Sequence, residues 1–275
     1  MKKKYDQWDF FVDTYPINPY PNPWDYVVDG YDIKSKNRRL WIKDEIYAEL
    51  VKNLFDGSNC NTILDVGCGA GTLSILLADE FRVYSLDFSK SMLNRLKTRS
   101  RELKKDVAAM VNADNQKIPF KSNSFDGTLC KFALWPVPNP QETIKEMVRV
   151  TKLNGRIIII EVDRTNGYKL NLRSKFVYRL YKVVKRLTTK RSSAHTKDEA
   201  WKIIMETTKK HPKINLKFTR EVLEGCDCEI TAVDTTIKTK INGFISKFCG
   251  GQCAGHNYFL ICAEKRGGKS KTDEH

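Results

Sequence analysis

Short apolar runs alternate with amphipathic segments through most of the chain. Between Arg38 and Phe55, apolar residues recur at helical spacing and predict a helix that leads into the core. Farther along, apolar runs predict buried strands at 62–66, 83–86, 107–111, 127–132 and 157–160. Helical periodicity between these strands predicts helices at 73–80, 89–101 and 141–151, with Ser89 as the N-cap of the second.

The order of these elements predicts the class of fold. Strands that alternate with helices imply right-handed crossovers and a parallel sheet that is covered on both faces. Two further helices, at 172–187 and 197–209, precede a last pair of strands at 228–235 and 258–263. We therefore expect an α/β protein with a doubly wound, Rossmann-like, seven-stranded mixed sheet, its last strand inserted antiparallel, and a helical insertion near 165–220.

The chain is expected to divide into three segments. Residues 1–37 are rich in aromatic residues and prolines without a regular period, which predicts an ordered, extended cover segment. Residues 38–265 are expected to form the α/β domain, and the polar residues 266–275 a flexible tail. Because 41% of the 275 residues are apolar, one large core is expected.

The composition argues against membrane-spanning and secreted proteins. No stretch approaches the roughly 20 apolar residues of a membrane span, and the basic residues after Met1 are not followed by the apolar core of a signal peptide. We therefore expect a cytoplasmic protein. The eight cysteines are dilute and several lie in predicted strands, so reduced thiols are expected rather than a disulfide scaffold.

The positive charge of the chain is unevenly distributed. The formal net charge is +15, and the region from Arg164 to Lys197 contains eleven Lys or Arg residues but no Asp or Glu. Within it, 172–187 combines an apolar stripe with a basic face. Three interpretations stay open: a helix packed on the domain with a solvated basic face, an RNA-contacting helix, or a helix on an anionic membrane surface.

Four cysteines in the last quarter of the chain form two closely spaced pairs. Cys226 and Cys228 make one pair, Cys249 and Cys253 the other, and His256 follows closely. Thiolates so spaced could hold zinc or an iron–sulfur cluster, but the spacing matches no established pattern for either. Free cysteines and a metal site both stay open, and we assign no metal ligand.

A glycine-rich loop follows the first predicted strand. The segment from Ile63 to Thr72 places three glycines where the strand must turn into a helix, and glycine lets a ligand approach the backbone closely. On the next strand, Asp87 follows Gly71 by sixteen residues, and a carboxylate suits the 2′ and 3′ hydroxyls of a ribose. Loop and acid predict an adenosine-type cofactor. The loop departs from G-x-G-x-x-G, which disfavours NAD.

Further motifs occur in a characteristic order after this loop. From Ile63 to Asp163, the chain resembles the small-molecule "type 11" branch of the class I S-adenosylmethionine (SAM)-dependent methyltransferases. The matching segments are Leu64-Asp65-Val66-Gly67-Cys68-Gly69-Ala70-Gly71, Leu86-Asp87-Phe88-Ser89-Lys90-Ser91-Met92-Leu93, Ala113-Asp114 before Ile118-Pro119-Phe120, Ser124-Phe125-Asp126 and the run from Glu146 to Arg156. Asn154 stands where the family usually has Pro, and a turn accepts either residue.

The resemblance implies SAM as cofactor and assigns residues to its amino-acid end. Gly67, Gly69 and Gly71 would leave room for the homocysteine portion. Asp65 would lie beneath the ammonium group. Lys131, just past the fourth strand, would lie near the same end through its backbone.

The resemblance also assigns residues to the nucleoside. Asp87 would accept hydrogen bonds from the ribose hydroxyls, and Phe88 and Met92 would pack on the adenine. Ala113 and Asp114 form the motif after the third strand, and Asp114 would accept from the exocyclic amine. Ordinary packing at a helix start stays an alternative for Phe88 and Met92, as a turn does for Asp114.

The implied activity is methyl transfer to a small or medium-sized metabolite that the sequence does not identify. In-line alignment provides much of the rate of such a displacement, so a base is optional. His195, Asp163 and Glu161 are candidate bases, and no catalytic residue is assigned. The N-terminal cover is expected to fold over the cofactor mouth and exclude water.

Two alternative functions stay open. The first is an RNA (tRNA) methyltransferase or RNA-binding module that uses the basic region 164–197. The second is a protein with the SAM-binding fold but without methyl transfer, since a fold does not fix the chemistry. The sequence does not indicate an oligomeric state.

Overall fold

The computed structural model describes residues 22–28, 38–56, 59–163, 165, 194–237 and 257–267. Within them, the helices are α1 (Arg38–Phe55), α2 (Thr72–Leu77), α3 (Lys90–Glu102), α4 (Pro140–Val150), α5 (Ala194–Thr207) and α6 (Leu216–Glu224), with 3-10 turns at Pro23–Tyr26 and Thr208–Lys210. The strands are β1 (Thr62–Val66), β2 (Arg82–Asp87), β3 (Ala109–Asn112), β4 (Phe125–Lys131), β5 (Thr151–Asp163), β6 (Cys228–Asp234) and β7 (Asn257–Lys265).

The strands form one sheet in the order β3-β2-β1-β4-β5-β7-β6. Strands β1 to β5 pair in parallel, whereas β7 runs antiparallel to both of its neighbours, β5 and β6. This arrangement confirms the predicted doubly wound, seven-stranded mixed sheet with an inserted antiparallel strand. The strand order reverses between β1 and β4, so the crevice at their carboxyl ends is the topological switch point, where such sheets bind ligands.

The core lies on both faces of the sheet. Ile157 and Ile159 pack in a cluster with residues of α4 and α6, whereas Ile158 and Ile160 pack with residues of α1 and α2. All four side chains are fully buried. Successive side chains of a strand point to opposite faces, so a strand that is covered on both sides has a continuous apolar run. Because helices pack on both faces of the sheet, the crevice at the carboxyl ends of its strands has a fixed position.

Most helices and strands begin and end within one to three residues of the predicted bounds, and three differences have structural consequences. Strand β5 begins at Thr151 rather than Ile157 because Thr151 pairs with Phe125 before a register shift in β4. Helix α6 is missing from the sequence prediction, although its N-cap is readable: Asn215 Oδ1 accepts a hydrogen bond from Phe218 N at 2.7 Å.

The third difference corrects the position of His195. The helix predicted at 197–209 begins three residues earlier, as α5 at Ala194, so the backbone of His195 belongs to a helix and not to the segment before it. No glycine or proline between Ala194 and Lys197 would stop the helix from starting early.

Part of the N-terminal cover is a 3-10 turn rather than extended chain. Asn22 Oδ1 accepts a hydrogen bond from Trp24 N at 3.0 Å, and Pro23 occupies the first helical position, where its missing N–H costs nothing. Periodicity does not predict this turn because four residues are too few to show a helical period.

Several predicted features lie outside the described residues. They are the basic helix at 172–187, most of the N-terminal cover, most of the tail, Cys249, Cys253 and His256. In the described ranges, no helix combines the length and apolar character needed to cross a bilayer. The same ranges contain no group of three or more His, Cys, Asp or Glu residues that could hold a metal ion.

Candidate cofactor site

The predicted site residues meet at one edge of the sheet. Strands β1, β2, β3 and β4 end at this edge, with Val66 opposite Leu86 and Asp87 opposite Asn112. Lys131 ends β4 on the other side of β1. Because parallel strands bring their carboxyl ends together, residues that are far apart in the sequence line one crevice.

The glycine loop between β1 and α2 has three residues in the left-handed conformation. The φ angles are +69° at Gly67, +56° at Gly69 and +71° at Gly71. A Cβ atom on Gly67 would lie 2.3 Å from the Cβ of Ala133, and one on Gly71 would lie 2.1 Å from a methyl carbon of Leu96. A Cβ on Gly69 would meet no atom within 4 Å. Two glycines are therefore required by close packing, whereas the third borders open space.

Asp87 holds the loop and the next helix together. Its Oδ2 accepts a hydrogen bond from Gly69 N at 2.8 Å, and its Oδ1 accepts one from Ser89 N at 2.8 Å. Burial raises the pKa of Asp87 to about 6, and the charge of Asp25 adds to this effect, while the two backbone hydrogen bonds lower the pKa. A carboxylate has about four acceptor positions, so Asp87 could still accept a hydrogen bond from a ligand hydroxyl.

Asp65 is a second buried carboxylate near the same crevice. Its Oδ2 accepts a hydrogen bond from the Ser74 hydroxyl at 2.6 Å. Burial raises its pKa to about 6, although the hydrogen bond from Ser74 and the positive charge of Lys131 both lower it. The charge of Asp87 raises it further. An additional cation would therefore be favoured beside this pair of carboxylates.

The structure separates the two residues that were predicted to pack on adenine. The Phe88 side chain is 43% exposed and directly follows Asp87. Met92 is only 3% exposed and packs with Val27, Ala70 and neighbouring apolar residues. Phe88 is thus accessible to a ligand, whereas Met92 is buried and packs against Ala70 of the glycine loop.

The motif after β3 lies beside Asp87. Ala113 is fully buried, and its N donates to the carbonyl oxygen of Asp87 at 3.2 Å. Asp114 Oδ1 accepts hydrogen bonds from Gln116 N at 2.9 Å and Gln116 Nε2 at 3.2 Å. Asp114 therefore forms a turn, the alternative weighed from the sequence, and its carboxylate still has acceptor capacity for an amine.

The side chain of Lys131 has a specific environment that the sequence does not reveal. Its ammonium forms an ion pair with Asp44 of α1, and the two side chains are only 18% and 12% exposed. The ammonium lies 5.0 Å from the ring centroid of Tyr47 and 5.7 Å from that of Phe132. Asp44 precedes Lys131 by 87 residues, so no local pattern could have identified the pair.

The cover and the insertion meet above the glycine loop. Trp24 of the 3-10 turn contacts Trp135, with ring centroids 5.9 Å apart, and Trp201 of α5, with centroids 5.8 Å apart. These rings adjoin the cluster that contains Ala70 of the loop. Asp25 accepts a hydrogen bond from the Ser89 hydroxyl at 2.6 Å, at the positive N-terminus of α3. Trp24, Trp135 and Trp201, called the aromatic wall below, therefore lie beside the candidate cofactor crevice.

The candidate bases are placed differently from one another. Glu161 is fully buried, and its carboxylate accepts hydrogen bonds from the backbone N–H groups of Leu134, Trp135 and Val162. It therefore shapes the loop after β4. Asp163 Oδ1 accepts from Thr165 N at 2.9 Å, next to the carboxyl end of β5. Neither arrangement identifies a catalytic base.

Together, these features fit an adenosine-type cofactor with an amino-acid end. The open space beside Gly69 and the carboxylate of Asp87 suit a ribose, and the exposed ring of Phe88 suits a base. Asp65 and Lys131 provide opposite charges at the other end of the loop. The fold and the site thus fit the class of nucleotide-binding α/β proteins.

Comparison with known proteins identifies the family. Residues 58–220 match the family described as "Methyltransferase domain". The chain belongs to this family and is a class I SAM-dependent methyltransferase. The type 11 branch is a finer assignment and stays a prediction.

Relatives with assigned activities share part of their length with this chain. A demethylmenaquinone methyltransferase of Oceanobacillus iheyensis is 31% identical over 66% of this chain and 73% of its own. One of Bacillus mycoides is 30% identical, over 50% of this chain and 60% of its own. Less than two thirds of the second relative is therefore covered.

A solved structure shows the same fold at low sequence identity. It is the geranyl diphosphate C-methyltransferase of Streptomyces coelicolor, in complex with Mg²⁺, geranyl-S-thiolodiphosphate and S-adenosyl-L-homocysteine. The TM-score is 0.52 at 16% identity, over 80% of this chain and 75% of that protein. This likeness supports the fold alone.

Proposed function

We propose that this protein binds SAM in the crevice beside Gly69 and transfers its methyl group to a small acceptor with a flat apolar ring. The observation that carries the proposal is the open space at Gly69, bordered by the Asp87 carboxylate and the exposed Phe88 ring. In this proposal Asp87 binds the ribose diol, Phe88 packs on adenine and Asp114 accepts from its amine. Asp65 faces the ammonium of the amino-acid end.

The proposed acceptor follows from the aromatic wall. Trp24, Trp135 and Trp201 come from three separate segments and stand beside the glycine loop. Aromatic rings bind flat apolar groups through edge-to-face and stacked contacts. Both named relatives are demethylmenaquinone methyltransferases, which makes a demethylated naphthoquinol the first acceptor to test.

The protein's contribution to the reaction is alignment and exclusion of water. SAM supplies an electrophilic methyl group on a sulfonium with a good leaving group. The glycine loop and Asp87 fix the nucleoside, and the Trp24 turn covers the loop from the acceptor side. Alignment of the reacting atoms can supply about 7–11 kcal/mol of the barrier, so the proposal does not require a dedicated base.

SAM binding is expected to weaken in acid. The pKa values of Asp65 and Asp87 are both about 6, and the proposed contacts need both carboxylates ionised. Protons then compete with SAM, and the dissociation constant should increase by about tenfold per pH unit for each carboxylate below pH 6. Calorimetry between pH 5 and 8 measures this. An affinity that stays constant down to pH 5 would contradict the ionised contacts.

Two measurements test the proposed activity. Calorimetry should detect SAM binding, and labelled SAM should transfer its methyl group to a short-chain demethylmenaquinol. Transfer to tRNA instead would support the RNA alternative and overturn the small acceptor. Binding of SAM without transfer to either would support a protein that has the fold without this chemistry.

Replacing Trp24 tests the aromatic wall. W24A should increase KM for the acceptor about tenfold, because the ring's apolar contact area is lost, with the Kd for SAM nearly unchanged. W24F keeps an aromatic ring and should restore most of the lost affinity. Equal KM values for wild type and W24A would place the acceptor elsewhere.

A further inference from the structure

The ammonium group of Lys131 can donate more hydrogen bonds than its one ion pair uses. An ammonium has three N–H donors, and Asp44 accepts from one of them. The neighbouring rings of Tyr47 and Phe132 favour the cation but accept no conventional hydrogen bond. Its side chain is 18% exposed, and the residue ends β4 at the edge of the sheet where the crevice lies.

The charged residues beside the glycine loop would complement a ligand group that carries both a positive and a negative charge. Asp65 is the penultimate residue of β1, which leads into the glycine loop, and Lys131 ends the adjacent strand β4. The two are close enough for the Lys131 charge to act on Asp65. An amino-acid group carries an ammonium and a carboxylate a few ångströms apart. Asp65 complements the first, and Lys131 complements the second.

We propose that the Lys131 side chain binds the carboxylate of the cofactor's amino-acid end, with Asp44 holding the ammonium in position. This inference rests on the proposed SAM site and assigns the side chain of Lys131, rather than its backbone alone, to cofactor recognition. Asp44 orients the ammonium before the ligand arrives, so little side-chain entropy remains to be lost on binding. Lys131 acts through charge and hydrogen bonding, and Asp44 is a positioning residue.

A pair of ligands that differ by one carboxylate tests the proposal. S-Adenosylhomocysteine carries the carboxylate, and 5′-(3-aminopropylthio)-5′-deoxyadenosine is the same molecule without it. K131M should weaken binding of the first by about tenfold or more, the effect expected for losing a hydrogen-bonded charge pair. Binding of the second should change by less than about twofold, because it never contacts Lys131 through a carboxylate. Calorimetry measures both dissociation constants.

D44N provides the matched control. It breaks the same ion pair as K131M but keeps the ammonium, which is then less well positioned, so the Kd for S-adenosylhomocysteine should increase by about threefold, clearly less than in K131M. If K131M weakened both ligands equally, or if D44N weakened S-adenosylhomocysteine as much as K131M does, the pair would act through the fold and the proposal would be overturned. If wild type bound neither ligand, the proposed SAM site itself would fail, a result distinct from these two.

Discussion

D87N is expected to reduce SAM affinity about a hundredfold, because a carboxylate that binds two hydroxyls is lost. Burial raises the pKa of Asp87 to about 6, above its ordinary value, so the folded state binds this proton more tightly than the unfolded chain does. Stability therefore falls as pH rises from about 4 to 6, and at pH 7 the ionised form opposes folding. Asparagine removes this charge but accepts only one of the two backbone hydrogen bonds, from Gly69 or from Ser89, because its NH2 group is a donor, so the two effects on stability oppose each other.

D126N is the matched control, because the pKa of Asp126 is shifted in the opposite direction to that of Asp87. Asp126 accepts hydrogen bonds from Asn61 N and Thr62 N at the other edge of the sheet. Although burial raises its pKa, hydrogen bonds from Lys152, Thr62 and Asn61 bring it down to about 2. Its stabilising effect is thus present above about pH 4 and lost as the pH falls through 2.

The two variants together separate binding from folding. D126N should lower the free energy of unfolding by about 1 kcal/mol, since the carboxylate is partly exposed and screened, and should leave SAM affinity intact. D87N should weaken SAM binding about a hundredfold, an effect much larger than its effect on the free energy of unfolding. Urea unfolding and calorimetry on both variants measure this, and a D87N protein with wild-type SAM affinity would remove Asp87 from the site.

Local sequence patterns predicted the sheet and the cofactor loop because the relevant physics is local there. The four isoleucines from Ile157 to Ile160 indicate a strand that is buried on both faces, and the structure places two on each. Ser89 indicates a helix start, and its hydroxyl accepts a hydrogen bond from Met92 N at 3.2 Å. Glycines at a strand-to-helix turn indicate left-handed backbone, which all three adopt.

Contacts across the fold could not be predicted in this way. The Lys131–Asp44 ion pair and the Trp24–Trp201 contact join residues that have no shared pattern in sequence. The carboxylate of Glu161 looked like a candidate base, yet its position depends on the loop that it binds, residues 134 and 135. Such roles depend on which loops the sheet order brings together, so they require the three-dimensional structure.

G67A is expected to lose mainly stability and G69A mainly SAM affinity, although both glycines have positive φ angles. For either position, alanine in the left-handed conformation costs about 1–2 kcal/mol. G67A adds a clash, because its Cβ would lie 2.3 Å from the Cβ of Ala133, and should lose about 3 kcal/mol or more of stability. G69A meets no protein atom within 4 Å and should fold with only the backbone cost.

The effect on SAM affinity should be larger for G69A than for G67A, the reverse of the effect on stability. The new methyl group of G69A would stand in the space proposed for SAM, so the Kd for SAM should increase at least about tenfold in a protein that unfolds cooperatively in urea. G67A, measured at a temperature where it stays folded, should lose less affinity than G69A because its Cβ points at Ala133. Wild-type SAM affinity in G69A would mean that the open side of the loop is not where the cofactor lies.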